Sequence, residues 1–169
     1  MLSLPDLHNA LQQIRFARWY TTELVSDIPL ERWFEMPPGA ATHVAWQVGH
    51  LASAEYWLGL SRIRGQQPAD EELISTALRQ MFGRGSVPSA DLAAYPSAAE
   101  IRAVFDRVHE RLLAESSSFD PARLEEPCER PHRIANTRLR SLEWCSQHEL
   151  IHAGQIGHLR RLLGMQPQW

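Results

Sequence analysis

The sequence lacks the features that mark membrane, secreted and disulfide-bonded proteins. No window of about 18 apolar residues is present, so we expect no membrane-spanning helix and no membrane partner. The start of the chain already carries Asp6 and other polar residues, which argues against a signal peptide. Its two cysteines, Cys128 and Cys145, are too few for a disulfide framework. Together these absences predict a cytoplasmic protein.

Clustered positive charge is also missing. The net charge is −3, and the arginines are scattered along the chain. Phosphate binding needs a clustered cationic surface, so we expect no nucleic-acid partner. What remains is an ordinary globular composition of 169 residues, 44% of them hydrophobic and 22% charged. This composition predicts one domain, residues 1–169, with a sizeable core.

The apolar residues are spaced as in helices rather than strands. No segment longer than four residues shows the period-two alternation of a half-buried strand. Helical spacing recurs in four long segments, the first opened by a capping serine, Ser3. These segments are residues 3–28, 42–64, 97–115 and 137–163. The irregular stretch 66–96, with a short helix at 70–81, predicts a long crossover between helices two and three of an all-α four-helix bundle.

Two histidines in the last helix carry the clearest sign of function. His148 and His152 lie one helical turn apart, so both imidazoles can point at one ion. Trp144, Ile151 and Leu159 flank the pair, which predicts that the histidines face the core. Buried imidazole nitrogens need a partner, and a metal ion satisfies several of them at once.

Histidines on the second and third helices differ in their surroundings. His50 lies among Trp46, Ala54 and Trp57 on an apolar face, so it is either a third metal ligand or a hydrogen-bonded core histidine. His109 falls outside the apolar stripe of its helix, and we expect it to be solvated.

The sequence His148-Glu149-x-x-His152 also matches the zinc-protease signature, in which Glu149 would be the general base. The longer form of that motif needs glycine at position 155, where this chain has Gln155. On a continuing helix His158 would lie about 15 Å along the axis from His148 and could not share its ion. With no strand predicted before the helix, we disfavour a protease.

Two motifs, taken in their order along the chain, resemble those of the DinB-like superfamily. They are Trp46-x-x-Gly49-His50-Leu51 in the second helix and His148-Glu149-x-x-His152-x-Gly154-Gln155 in the fourth. The resemblance implies an up-down-down-up four-helix bundle with a metal site formed by His50, His148 and His152. The common family pattern has a second histidine and an arginine close to the last ligand, where this chain has Ile151 and Ala153. This departure concerns the details of the pocket and leaves the ligands intact.

The resemblance also implies a chemistry, because the superfamily includes S-transferases that use mycothiol or bacillithiol. The first hypothesis is therefore a metal-dependent transferase that joins a low-molecular-weight thiol to an electrophilic small molecule. A metal-dependent hydrolase and a non-catalytic metal-binding stress-response protein are the alternatives. Three neutral imidazoles suit Zn²⁺ or Ni²⁺, and a site with three protein ligands leaves a position open for thiol or water.

The surroundings of the site should distinguish the two reactions. A thiol pocket needs basic or polar groups near the open position, whereas a hydrolase needs a carboxylate or histidine beside its water. Glu149 is about 100° off the metal-facing stripe and is expected to form a salt bridge or to orient a neighbour, which leaves His43 as a distant candidate base. Four residues are predicted to surround the metal: Trp46, Trp57 and Trp144 in the pocket walls, and Gln155 as a polar partner of the ligands.

Large aromatic residues near the start suggest how two copies could meet. Phe16, Trp19 and Trp33 are candidates for an exposed apolar face, and we expect a homodimer. Burial in the core is an equally good interpretation of each.

Overall fold

The computed structural model describes residues 4–128 and 133–168, with the side chains of Leu4 and Pro5 left out. Within these ranges the chain is helical, and the sole β-type pairing is an isolated bridge between Pro127 and Thr137. The α-helices are α1 (Leu4–Ser26), α2 (Val44–Glu55), α3 (Arg62–Arg64), α4 (Asp70–Leu73), α5 (Thr76–Met81), α6 (Ala98–Ser116) and α7 (Arg138–Leu162). Short 3₁₀ turns lie at Leu30–Arg32, Leu92–Ala94 and Pro121–Arg123.

The long helices form the predicted all-α bundle. Helix α1 packs mainly on α7, α2 packs on α6, and α2 also contacts α7. Their apolar faces meet in one hydrophobic cluster that includes Ile14, Leu51, Phe105 and Ile156. Helix α6, the third long helix, begins with a capping box formed by Ser97 and Glu100. The capping serine predicted for the first helix, Ser3, lies outside the described residues.

The second helix begins slightly later than predicted and is interrupted in its interior, but it ends at Arg64 as predicted. Its N-cap is His43, and a π-helical segment, Tyr56–Ser61, separates α2 from α3. The Arg62 N–H donates to the carbonyl of Trp57, five residues back. The carbonyl of Leu58 instead accepts a 2.8 Å hydrogen bond from Ser141 Oγ on α7. Such insertions widen the helix and rotate the residues that follow by about 100°.

The connection between α2 and α6 closes over one face of α2. The predicted helix at 70–81 is divided into α4 and α5 by an extended Ile74. Phe82, directly after α5, is buried against Gly49, where an added Cβ would lie 2.7 Å from the Phe82 ring. Glycine at position 49 therefore lets this connection approach the helix that carries His50.

We predict opposite effects for alanine at two helical glycines. Gly157→Ala should stabilise the protein by about 0.5–1 kcal/mol, because alanine favours a helix and nothing lies within 4 Å of the added methyl. Gly49→Ala should destabilise it by about 1–3 kcal/mol, because its methyl collides with Phe82. Urea denaturation of the metal-free variants measures both changes. Equal stability of the two variants would show that Phe82 does not press on α2.

A cluster of ionisable side chains joins the four long helices inside the core. Arg18 of α1 pairs with Glu55 of α2 and Glu149 of α7, and it donates to the Phe105 carbonyl at 2.7 Å. His109 of α6 completes this buried ion cluster, with Nδ1 2.7 Å from Glu55 Oε1. The salt bridge expected for Glu149 is thus confirmed. The expectation that His109 is solvated was wrong, because the side chain turns inward to Glu55.

The three aromatic residues considered for a dimer face divide into two groups. Phe16 and Trp19 are 53% and 52% exposed, whereas Trp33 is fully buried. Trp33 Nε1 donates to the carbonyl of Ile28 at 3.2 Å, which removes Trp33 from any dimer face. The homodimer stays a prediction. Among the described residues, none of the helices combines the length and apolarity needed to cross a bilayer.

Candidate metal centre

Three histidines from two helices come together in the structure. His50 on α2 and His148 and His152 on α7 each offer one ring nitrogen, and these nitrogens all lie within 4.8 Å of one another. The ring centroids are 4.5–5.2 Å apart. Nitrogens bound to one tetrahedral Zn²⁺ would be about 3.4 Å apart, a difference that small side-chain rotations can close. The group could therefore hold a metal ion.

A backbone carbonyl orients His50. Its Nδ1 lies 2.7 Å from the carbonyl oxygen of Phe82. A carbonyl can only accept, so Nδ1 carries the proton and Nε2 is left with a free lone pair. Metal-bound histidines usually donate their second N–H in this way, which fixes the ring and strengthens the ligand. Gly49 and Phe82 thus act on the site as well as on packing.

Gln47 orients His152 in the same manner, and the sequence analysis missed this residue. Its Oε1 lies 2.6 Å from His152 Nδ1. Its Nε2 donates to Thr42 Oγ1 at 3.1 Å and to Gln155 Oε1 at 2.9 Å, which turns the carbonyl oxygen toward His152. Gln155 is exposed and supports His152 through Gln47. A glutamine one turn before His50, in the mostly apolar run that opens the second helix, was the available signal.

We predict that Gln47→Leu weakens Zn²⁺ binding by about 10–100-fold, because His152 loses the acceptor that fixes its ring. Competition with a chromophoric chelator measures this affinity. Gln155→Leu removes only the outer residue, which reaches His152 through Gln47, and should weaken binding less than Gln47→Leu does. Unchanged affinity in Gln47→Leu would mean that the hydrogen bond to His152 does not support the site.

Burial favours the neutral form of His50 and His152. It lowers the pKa of His50 below its ordinary value. Burial, together with repulsion from His148 and His50, lowers the pKa of His152 to about 3. A metal binds neutral imidazole, so His152 needs no deprotonation near neutral pH.

Tryptophans surround two of the three histidines. The ring of Trp46 stacks on His50 with centroids 4.8 Å apart and planes 6° apart, and its Nε1 donates to Ser86 Oγ. Trp144 meets His148 edge-on at 6.2 Å. Ile151 departs from the expectation that it flanks the pair on the core side, since it is 53% exposed.

The two candidate bases face away from the histidine group. His43 is fully buried and caps α2, with Nδ1 accepting from Trp46 N–H at 3.1 Å. Its Nε2 donates to the carbonyl of Ser89 at 3.1 Å, so both nitrogens are engaged. Glu149 points into the core toward Arg18. His158 is exposed and does not belong to the histidine group, which agrees with setting the protease interpretation aside.

A cavity of about 750 Å³ opens beside His50 and His148. Trp57 and Trp144 form apolar parts of its wall, and Ser53 and Ser61 add hydroxyl groups. Three arginines also line it: Arg62, Arg64 and Arg84. None of the described residues that line it is acidic.

Fold and site together define a class, an all-α bundle in which histidines from two helices could hold a metal ion. The family model of the DinB superfamily matches residues 13–156, a range that includes all three histidines. The chain therefore belongs to the DinB superfamily, as its motifs predicted. A search of curated proteins found no match.

Proposed function

We propose that the protein is a metal-dependent thiol S-transferase in which His50, His148 and His152 hold one divalent ion. Zn²⁺ and Ni²⁺ suit three neutral imidazoles best. When bound, such an ion lowers the pKa of a coordinated thiol toward neutrality. The observation that carries the proposal is the cavity beside His50 and His148, which has arginines and serines in its wall and no described acidic residue.

The same observation disfavours hydrolysis. A hydrolase of this kind needs a base within hydrogen-bond reach of its water. Glu149 is paired with Arg18 in the core, and both nitrogens of His43 are engaged at the start of α2. The described residues that line the cavity thus provide cationic and hydroxyl groups. These groups suit a thiol and its polar substituents better than a water nucleophile.

The chain's own residues have definite tasks in this proposal. Phe82 and Gln47 hold the Nδ1 protons of His50 and His152, which keeps the other nitrogens directed at the ion. Trp57 and Trp144 provide apolar wall against which an electrophile can pack. In the transfer a sulfur–carbon bond forms, the bond to the leaving group breaks with its electron pair, and the thiol proton passes to solvent through the open cavity.

Thioether formation tests the proposal. Zinc-loaded and nickel-loaded protein would be incubated with monochlorobimane and one thiol at a time. The thiols are bacillithiol, mycothiol, glutathione and cysteine. Fluorescence reports the thioether, and p-nitrophenyl acetate without thiol reports hydrolysis in the same preparations. We expect metal-dependent thioether formation with at least one thiol, and its loss in His148→Ala.

The contrary outcomes are equally clear. Metal-dependent ester hydrolysis without thiol transfer would favour the hydrolase. Stoichiometric metal without either reaction would favour a non-catalytic metal-binding protein.

A further inference from the structure

The charges along the cavity wall point to the kind of ligand that it accepts. Among its three arginines, Arg64 is neutralised by Asp70 and Glu115, with Arg64 Nη2 2.7 Å from Asp70 Oδ1. Arg62 and Arg84 have no ion pair with any described residue. Because none of the described lining residues is acidic, the cavity carries uncompensated positive charge.

Arg62 is the more informative of these two arginines. It is partly buried, and its Nη1 atom is buried without a hydrogen-bond partner in the described part of the chain. Burial of a guanidinium N–H without an acceptor is unfavourable, and a bound anion would remove that cost. Arg84 is exposed, so it lies where an anion would first meet the cavity. Long-range attraction by such an exposed cation speeds the entry of anionic ligands.

We propose that the cavity binds an elongated anionic ligand whose carboxylate or phosphate pairs with Arg62 and Arg84 while its other end reaches the histidine group. Arg62 lies roughly 18 Å from His50 along the helix, and its side chain leans back toward the helix start. The ligand therefore spans on the order of 10 Å between the two points. The identity of the ligand group at the histidines rests on the proposed function. The anionic group at the arginines is inferred from the charges that line the cavity alone.

A matched pair of probes tests the arginine end. Isothermal titration calorimetry on zinc-loaded protein would compare 8-mercaptooctanoate with 8-mercaptooctan-1-ol, which differ in the terminal carboxylate. We expect the acid to bind about tenfold tighter or more, the effect of a charge-assisted hydrogen bond. In Arg62→Met the acid should lose this advantage, while the alcohol should bind as it does to the unaltered protein.

Control variants keep the result interpretable. Arg84→Met alters an exposed residue and should reduce the preference for the acid without affecting folding. Arg102→Met removes a partly exposed arginine of α6 that pairs with Asp106, outside the cavity lining, and should leave both affinities unchanged. Equal binding of acid and alcohol to the unaltered protein, or a preference that survives in both Arg62→Met and Arg84→Met, would overturn the proposal.

Two further measurements separate failure here from failure of the proposed function. Octanoate and octyl phosphate, which lack a thiol, should displace 8-mercaptooctanoate. If neither compound displaces it, the anion site is contradicted. If thiols did not reach the ion, octanoate would bind as tightly as 8-mercaptooctanoate and would still depend on Arg62. If the anion site were absent, thioether formation would continue with no preference between the acid and the alcohol.

Discussion

Replacing Arg18 with methionine is expected to destabilise the protein by about 3–5 kcal/mol, the largest effect of any single substitution considered. Arg18 is 5% exposed and is shared between Glu55 and Glu149, which are 1% and 2% exposed. Methionine fills much of the same space but leaves two carboxylates in the core without their cation. The helices that meet at the buried ion cluster, α1, α2, α6 and α7, would all be affected.

The loss should depend on pH in a defined direction. In the unaltered protein burial and the charge of Glu55 raise the pKa of Glu149, and Arg18 opposes both effects. Burial also acts to raise the pKa of Glu55, but Arg18 and His109 lower it overall. Without Arg18 both carboxyls bind protons more tightly in the folded than in the unfolded state. The deficit should therefore be smallest near pH 5 and grow as the pH rises to 8.

Urea denaturation at the two pH values measures this effect. Arg140→Met is the matched control, because Arg140 pairs with Glu143 on the surface of α7 and its side chain is 65% exposed. Its loss should stay below about 1 kcal/mol. Adding Glu149→Gln to Arg18→Met removes one of the stranded charges and should restore part of the stability at pH 8. If Arg18→Met lost no more than Arg140→Met, the ion cluster would not hold the helices together.

Alanine in place of His148 or His152 is expected to remove the stabilisation that a bound metal gives. At a free Zn²⁺ concentration of 100 times the dissociation constant, binding stabilises the folded chain by about 2.7 kcal/mol. For a domain of this size that corresponds to a rise in melting temperature of about 5–10 °C. Each variant loses one of three ligands, so the rise should vanish at the same zinc concentration.

The shift on adding zinc, rather than the melting temperature itself, is the quantity to compare. His152→Ala also leaves Gln47 Oε1 without the donor His152 Nδ1 and should lower the melting temperature of the metal-free protein. His158→Ala is the control, because His158 lies on the same helix but is exposed and outside the histidine group. It should keep the full shift. A shift that persisted in His148→Ala would rule out the three-histidine site.

The bundle could be predicted from the sequence because its long helices have regular apolar spacing and strong end signals, such as the Ser97 capping box. The histidine pair was visible because one turn of helix separates the two residues. His50 needed the Trp46-x-x-Gly49-His50-Leu51 motif, since an isolated histidine on an apolar face has several explanations.

The parts that were not predicted depend on contacts between distant segments. Gln47 and His152 are 105 residues apart, and the carbonyl of Phe82 that holds His50 has no side-chain signature at all. The π-helical segment is stabilised by Ser141 from another helix. His109 was misjudged because its position outside the apolar stripe of its own helix said nothing about a carboxylate on the facing helix, Glu55.

The most direct test of the central claim, that His50, His148 and His152 hold one divalent ion, is the metal content of the purified, untagged protein. Inductively coupled plasma mass spectrometry before and after chelation, paired with thermal melts, gives the stoichiometry and its effect on stability. The three-histidine site predicts about one zinc or nickel ion per chain, lost on chelation together with a lower melting temperature. Protein that holds no metal, and whose melting temperature does not rise when zinc or nickel is added, would contradict it.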